Sequence, residues 1–395
     1  MKEILIVGGG FAGLWAALAA AREIAEAGAE AEIAVRVVSR DRFLTNRPRL
    51  YEASSDGYRV PLEPTLGPVG VALDEAEVTA IDTSAHEVSI QKPDGTKVKL
   101  PYDRLIMAAG SIGTLPPIEG LDQHAFSIDD YAAAMALDRH LEALVAKPGS
   151  DTFVILGSGF TGIELATELR NRIAATADPE AAERARVVLV EQADRVAPEL
   201  GDNPRSLIED ALVQSGVEVR LRETVERVEA DNIVLGSGER IASCTLIVTV
   251  GPRASPLNEA FGVALDPSGR APCDDMLRVI GVPDTYMAGD VAMAHVDDEH
   301  VALMSCQHAI TMGKFAGFNA ARDLLGLALR PYRQIRYVTC LDLGRGGAVF
   351  TTGWDREVQM HGDEAKQLKR TIVSERIIPP TGEREAILAA AALDG

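Results

Sequence analysis

Residues 4–13 read ILIVGGGFAG, and this stretch decides the fold. Its first four residues are apolar and mostly β-branched, which predicts a short strand buried on both faces. The glycines follow at once, and residues 14–26 form an alanine-rich segment that favours a helix. Strand, glycine turn and helix in this order are typical of a dinucleotide-binding unit. In such a unit Gly8 allows the turn, Gly10 lets a pyrophosphate approach the backbone, and Gly13 lets the helix pack against the strand.

The same arrangement occurs a second time. Residues 153–162 read FVILGSGFTG, and a second helical segment is predicted at 163–174. Gly157, Gly159 and Gly162 take the three glycine positions. One motif of this kind is weak evidence, since glycine-rich turns also occur for packing alone. Two complete copies, each followed by short antiparallel strands, predict a duplicated unit with two nucleotide-binding domains.

The residue that ends the second strand of each unit bears on the ligand, because this position normally contacts the adenosine ribose. In the second unit it is Glu191, and a carboxylate there favours NAD over NADP. In the first unit this position holds Ser39, whose hydroxyl can still hydrogen-bond a ribose, so the acid is either absent or shifted along the chain. Arg40 follows, and its side chain either faces an adenosine or a phosphate or is a solvated loop arginine.

Composition excludes several classes of protein. The chain has 395 residues, with 39 Lys and Arg against 59 Asp and Glu, a formal net charge of −20. This balance argues against nucleic acid or an anionic membrane as the main partner, because both require a cationic face. The start shows no signal-peptide pattern, and no apolar window is long enough for a transmembrane helix.

The cysteines and histidines do not form a recognisable metal or redox motif. The four cysteines are far apart and include no CxxC pair, so a dithiol redox centre is not expected. His295, His300 and the acids between them form a cluster, but no helical His pair fixes a coordination geometry. We interpret the cluster as a solvated acidic loop and predict no metal site.

Several stretches resemble, in order, the motifs of flavoproteins with two dinucleotide-binding domains, and most closely those of type II NADH dehydrogenases. The matching stretches are residues 8–13, 47–51, 107–110, 157–169, 250–257, 288–290, 307–309 and 365–370. The resemblance implies an α/β fold with two Rossmann-like domains, one for FAD and one for NAD(P)H, and a small C-terminal α+β domain. The FAD domain is predicted to comprise residues 1–114 and 252–330, the NAD(P)H domain 115–251, and the C-terminal domain 331–395.

The resemblance also implies roles for individual residues. FAD is expected to place its pyrophosphate on the first glycine turn and NADH on the second, with Asp290 near the ribityl–phosphate region. Glu164 would lie near the nicotinamide and Gln307 by the flavin ring, and these two are the predicted catalytic residues. The predicted cofactor-binding residues are Gly8, Gly10, Phe11, Ala12, Gly13, Ser39, Arg40, Arg47, Pro48, Val78, Ala109, Gly110, Gly157, Gly159, Gly162, Glu191, Gly251, Gly289 and Asp290.

Two departures from type II NADH dehydrogenases concern the electron acceptor. That family carries two glutamines in its quinone segment, whereas this chain keeps Gln307 and has Thr311 in place of the second. The family also tends to end in an amphipathic membrane-binding segment, whereas residues 374–395 lack the basic face of an interfacial helix. Both departures weaken the assignment of a membrane quinone as the acceptor.

The sequence therefore predicts an FAD-dependent NADH:acceptor oxidoreductase with a small-molecule or quinone acceptor. It is expected to be cytoplasmic and to lack a stable membrane anchor. Three alternatives are retained: a peripheral NADH:quinone reductase, a soluble reductase of a small iron–sulfur protein, and a slow flavin redox sensor. The sequence leaves open a homodimer and peripheral membrane association.

Overall fold

The computed structural model describes residues 1–53, 57–144 and 150–393. The first two ranges contain β1 (Lys2–Val7), α1 (Phe11–Glu26), β2 (Ile33–Ser39), β3 (Phe43–Thr45), β4 (Arg59–Pro61), α2 (Glu63–Leu66), β5 (Ala72–Glu75), β6 (Glu77–Asp82), β7 (Glu87–Gln91), β8 (Lys97–Pro101), β9 (Arg104–Met107), β10 (Ser111–Ile112), α3 (Leu121–His124), β11 (Ala125–Ser127) and α4 (Tyr131–Ala143).

The third range begins with β12 (Thr152–Leu156), α5 (Phe160–Thr176), α6 (Pro179–Arg184), β13 (Arg186–Glu191), α7 (Arg205–Gln214), β14 (Val217–Leu221), β15 (Val225–Val228), β16 (Asn232–Leu235), β17 (Arg240–Ala242), β18 (Thr245–Val248), β19 (Arg253–Ala254), β20 (Ala271–Pro272), β21 (Thr285–Met287) and β22 (Ala292–Met293). It ends with α8 (Cys306–Leu324), β23 (Val338–Asp342), β24 (Ala348–Thr352), β25 (Glu357–Gly362), α9 (Asp363–Thr371) and α10 (Arg384–Ala390).

Two five-stranded parallel sheets form the centre of the fold. The first has the strand order β21-β9-β1-β2-β5, and the second has the order β11-β18-β12-β13-β14. In each sheet the strand before the glycine turn, β1 or β12, is central and pairs in parallel with both neighbours. Residues 4–7 of β1 and 153–156 of β12 are apolar and buried because both faces of the sheet are covered there. The predicted α/β class with two Rossmann-like units is confirmed.

Each parallel sheet is accompanied by a small antiparallel one. Strands β6, β7 and β8 accompany the first sheet, and β15, β16 and β17 accompany the second. The internal repeat predicted from the sequence therefore includes the accessory strands. Both long helices begin three residues earlier than predicted, at Phe11 and Phe160, because helical geometry starts directly after the second motif glycine.

Helix α8 lies against α1 at very short range. A Cβ atom on Gly313 would lie 2.3 Å from the carbonyl oxygen of Ala12, and one on Gly317 would lie 2.0 Å from that of Ala16. The two helices therefore touch backbone to backbone, which only glycine permits at these positions. Strand β21 also joins the first sheet. The first parallel sheet and its helices are therefore built from the beginning of the chain together with the segment that contains β21 and α8. The domain boundaries given above remain a prediction.

The last part of the chain folds as a three-stranded antiparallel sheet with a helix against it. Strands β23, β24 and β25 pair in sequence order, and α9 packs on them. Helix α10 returns to the first unit, where Arg22 Nη1 donates to the carbonyl oxygen of Leu388 at 3.1 Å. Within the described ranges, no helix combines the length and the apolar composition needed to cross a bilayer.

Candidate functional site

Both glycine turns open into one cavity of about 2050 Å³. Its wall also includes the start of α8, strand β23 and part of α9. All of the predicted site residues except Gly13 and Gly162 line this cavity. Those two lie instead behind the turns, against backbone, as expected for the packing glycine of each motif.

The first glycine turn has the backbone that a pyrophosphate requires. Gly8 adopts a φ of +115°, and a Cβ atom on Gly13 would lie 1.9 Å from the carbonyl oxygen of Gly8. Gly10 precedes α1 with no side-chain cap, and a Cβ atom there would meet nothing within 4 Å. The first N–H groups of α1 therefore point into free space beside a glycine, and the dipole of the helix favours an anion there. The residues present fit a dinucleotide cofactor.

A charged cluster lies beside this turn. Arg47 Nη1 donates to Ser111 Oγ at 2.9 Å, and Ser111 Oγ donates to Asp290 Oδ2 at 2.5 Å. Arg47 also lies 3.7 Å from the carboxylate of Asp290 and 3.6 Å from that of Asp129. The sequence pointed to Arg47 and Asp290 but missed Ser111 and Asp129. Neither missed residue belongs to a motif, since each reaches the cluster only through folding.

In the first unit the residue that ends β2 is a serine rather than an acid, although Asp41 and Glu77 also line the cavity there. Ser39 ends β2 and is buried, whereas Arg40 is exposed. Both line the cavity together with Val78. Pro48, Ala109 and Gly110 line it further along, and so do Gly251 and Gly289.

The second glycine turn repeats the geometry of the first. Gly157 has a φ of +102°, and a Cβ atom on Gly162 would lie 2.0 Å from the carbonyl oxygen of Gly157. Helix α5 starts after Gly159 without a capping bond from that residue. The carboxylate of Glu199, an exposed residue, accepts a hydrogen bond from the backbone N–H of Phe160 at 3.3 Å. The chain thus places its own anion where the motif predicts a phosphate.

Glu191 is a fixed and ionised carboxylate. It is buried and accepts hydrogen bonds from Ser158 N at 2.9 Å, Ser158 Oγ at 2.6 Å and Ala193 N at 2.8 Å. Burial by itself raises the pKa of Glu191, but these donors outweigh it and hold the pKa below its usual value. The carboxylate is thereby oriented at the end of β13, on the cavity wall.

Glu164 forms a buried ion pair with the C-terminal part of the chain. Its Oε1 accepts from Lys369 Nζ at 2.8 Å and from the backbone N–H of Asp342 at 3.0 Å. Burial raises the pKa of Glu164 to about 7, although Lys369 and the Asp342 N–H favour the charged form. Burial opposes the charge of Lys369 as well, but Glu164 offsets it and keeps the pKa of the lysine raised. The carboxyl therefore titrates near neutral pH beside a permanent cation.

A second ion pair lies one helical turn further along α5. Lys366 Nζ contacts Glu168 Oε1 at 2.5 Å and Asp342 Oδ1 at 2.8 Å. Tyr51 donates to the other oxygen of Asp342 at 3.2 Å. Glu164 and Glu168 are thus both buried in a network that joins α5 to α9, rather than being solvated charges on a helix surface.

The start of α8 places Gln307 on the cavity wall. Its Oε1 accepts from the backbone N–H of Val338 at 3.3 Å, and Thr311 Oγ1 donates to its carbonyl oxygen at 3.2 Å. Burial raises the pKa of the neighbouring Cys306, so its thiol stays protonated. Burial also lowers the pKa of His308 to about 4, so its imidazole is neutral at physiological pH.

Sequence comparison defines the class of protein. Residues 2–313 match the pyridine nucleotide-disulphide oxidoreductase family, and the chain belongs to this family. An NADH dehydrogenase-like protein of Mycobacterium tuberculosis (strain CDC 1551 / Oshkosh) is 44% identical over 397 residues, covering 99% of this chain and 98% of the relative. A type II NADH:quinone oxidoreductase of Staphylococcus epidermidis (strain ATCC 12228) is 26% identical, with 94% of each chain covered.

Comparison with solved structures agrees on the fold. NDH2 from Plasmodium falciparum in complex with RYL-552 superposes with a TM-score of 0.79 at 13% identity, covering 99% of this chain and 97% of that one. The water-forming NADH oxidase of Lactobacillus brevis superposes with a TM-score of 0.71 at 23% identity, covering 89% of this chain and 75% of that one.

Proposed function

We propose that this chain is an FAD-dependent NADH:acceptor oxidoreductase. The observation that carries the proposal is the single cavity into which two glycine-flanked helix N-termini open. Two dinucleotides bound on these turns would extend toward each other across the cavity. The family membership and the 44% identical NADH dehydrogenase-like relative support the same reaction class.

FAD, when bound, supplies a ring that accepts hydride from NADH and passes the electrons to a second acceptor. The residues of the chain provide position and electrostatics. The N–H groups at the start of α1 hold one pyrophosphate, and Asp290 and Arg47 line the cavity next to it. The N–H groups at the start of α5 hold the pyrophosphate of NADH once Glu199 moves aside. Glu191 accepts a hydrogen bond from the adenosine ribose.

Glu164 contributes a titrating carboxyl to the same cavity. Its Oε1 is occupied by Lys369 and Asp342, and in the described residues Oε2 makes no hydrogen bond. This second oxygen is free to contact the nicotinamide. Because the pKa of Glu164 is about 7, the carboxyl holds a proton in part of the population at neutral pH.

The test is an anaerobic titration of the purified, FAD-loaded protein with NADH. We expect NADH to bleach the visible absorbance of the flavin rapidly, and an added acceptor to restore it. A chain that takes up no FAD, or whose flavin is not reduced by NADH, would contradict the proposal. Bleaching much slower than about one per second would instead favour a redox sensor, given typical enzyme turnover.

A quinone is the second candidate for the acceptor. Gln307 lies on the cavity wall at the start of α8, and a relative that covers most of this chain is named a type II NADH:quinone oxidoreductase. After reduction by NADH, a short-chain quinone, ferricyanide and oxygen are added separately. If only the quinone reoxidises the reduced flavin, a quinone acceptor is supported. If ferricyanide reoxidises the flavin and the quinone does not, a quinone acceptor is rejected.

Replacing Glu191 by arginine tests the nucleotide specificity. The change removes the ribose acceptor and places a cation where NADPH carries its extra phosphate. We expect KM for NADH to rise at least about tenfold and the preference to shift toward NADPH. The control is Glu226→Arg, which makes the same charge change at an exposed residue outside the cavity. An unchanged preference in Glu191→Arg removes Glu191 from the ribose site.

A further inference from the structure

A hairpin of the C-terminal sheet reaches the NADH end of the cavity. The turn between β24 and β25 comprises residues 353–356, and Asn203 Nδ2 donates to the carbonyl oxygen of Asp355 at 2.7 Å. Asn203 follows Glu199 and precedes α7, so it belongs to the loop beside the start of α5. The hairpin is therefore bonded to the loop that leads from Glu199, at the start of α5, into α7.

Arg356, the last residue of this turn, is buried without full hydrogen bonding. The residue is 9% exposed and lines the cavity, and its Nη1 is buried and has no hydrogen-bond partner in the described structure. The guanidinium lies over the ring of Tyr337, 5.4 Å from the ring centroid. A buried guanidinium with an unused donor is costly unless a ligand provides the acceptor.

The side chain is held in place by stacked rings. Tyr337 stacks on Trp354 with ring centroids 4.6 Å apart, and Trp354 stacks on His300 at 4.2 Å. His308 packs beside both of these rings, with its ring centroid 5.5 Å from that of Tyr337 and 6.3 Å from that of Trp354. Arg356 is therefore presented from a rigid platform, which lowers the entropic cost of using it in binding.

The charges around the NADH end show what Arg356 is suited to bind. Glu191, Glu199 and Glu223 all line this part of the cavity. A dinucleotide adds two negative charges to this acidic surface. The N–H groups of α5 offset part of that charge from one side, and a guanidinium offers planar, paired donors to phosphate oxygens from another.

We propose that Arg356 binds the phosphates of the nicotinamide dinucleotide, so that the pyrophosphate is held between the start of α5 and the C-terminal hairpin. This inference rests on the proposed function and adds to it a binding residue from outside the nucleotide-binding unit. Glu199, which is exposed, leaves the start of α5 when the phosphates arrive. Binding therefore adds a contact between the C-terminal hairpin and the second nucleotide-binding unit.

The test measures binding of ADP-ribose and of adenosine to the FAD-loaded protein by titration calorimetry. ADP-ribose carries the pyrophosphate but cannot donate hydride, and adenosine carries no phosphate. In Arg356→Gln we expect the Kd for ADP-ribose to rise about tenfold, the size expected for a charge-assisted hydrogen bond. The Kd for adenosine should not change. The control is Arg384→Gln, which removes a cation of α10 paired with Glu30.

Arg356→Lys keeps the charge but loses the paired donors, so we expect an intermediate Kd and a salt dependence closer to that of the native protein. This variant also decides the question if Arg356→Gln fails to retain flavin. The inference is overturned if Arg356→Lys, and also Arg356→Gln where it folds, bind ADP-ribose with the Kd of the native protein. It is also overturned if the Kd for adenosine rises as much as the Kd for ADP-ribose. If the native protein itself does not bind ADP-ribose, the proposed function fails with it.

Discussion

Replacing Gly13 by valine is expected to weaken FAD binding severely. The new Cβ atom would lie 1.9 Å from the carbonyl oxygen of Gly8, far inside contact distance. Helix α1 must then move away from the turn, and its N–H groups leave the pyrophosphate. A loss of about 3 kcal/mol, typical of overpacking at a rigid site, lowers affinity roughly 100-fold. The measurement is the ratio of bound FAD to protein after gel filtration.

The second glycine turn supplies the matched variant. In Gly162→Val the Cβ atom would lie 2.0 Å from the carbonyl oxygen of Gly157. This variant should retain FAD but no longer be reduced by low concentrations of NADH. Gly10→Ala is the complementary test, because its methyl group would meet nothing in the chain within 4 Å and could clash only with a bound phosphate. A Gly13→Val protein that retains a full complement of FAD would contradict the assignment of the first turn.

Replacing Lys369 by methionine is expected to produce a large loss of stability. The change leaves Glu164 buried with no cation beside it. Removing one partner of a buried pair typically lowers the free energy of unfolding by about 3–5 kcal/mol. Urea denaturation of the FAD-loaded protein measures the effect. Glu164→Gln combined with Lys369→Met should recover much of the loss, because neither charge then remains.

The loss of stability in Lys369→Met should depend on pH, and the direction of this dependence follows from the raised pKa of Glu164. The folded protein holds a proton on this carboxyl up to about pH 7, whereas the unfolded chain releases it near the model value of 4.5. The stabilisation is therefore full at pH values below the unfolded pKa and declines as pH rises toward the folded one. Without Lys369 the folded pKa rises further, so the variant should lose more stability at pH 8 than at pH 6.

An exposed pair provides the control for this experiment. Lys99 contacts Glu87 at 2.8 Å on an open strand surface. Lys99→Met should change stability little, because exposed pairs are solvated and weak. An effect as small in Lys369→Met, or one independent of pH, would show that the buried pair does not determine stability.

The local sequence pattern was sufficient to predict those parts of the fold that are determined by residues close together in the chain. Both strand–turn–helix units follow from hydrophobic period and glycine position alone. The helices after the glycine turns began earlier than predicted because Phe11 and Phe160 have no helical signal of their own. Their helical geometry is set by the preceding glycine.

The candidate site was predictable only where a motif exists. Lys369 lies 205 residues from Glu164, and no local spacing relates the two. The segment containing Lys369 matched the family in sequence, but the match did not indicate that its lysines would be buried against α5. Arg356 likewise lies in an ordinary hairpin turn. Such residues become visible only when the chain brings distant segments together.

The order of strands in the first parallel sheet has a consequence during synthesis. Strand β9 ends at Met107, but its partner β21 begins only at Thr285. A ribosome adding ~5–20 residues per second needs roughly 10 to 35 seconds to make the segment between them. All strands of the second parallel sheet are synthesised during this time, while β9 remains an edge strand of the first sheet, unpaired on one side. Its unpaired N–H and C=O groups are then available to neighbouring nascent chains, so aggregation is most probable before β21 is made.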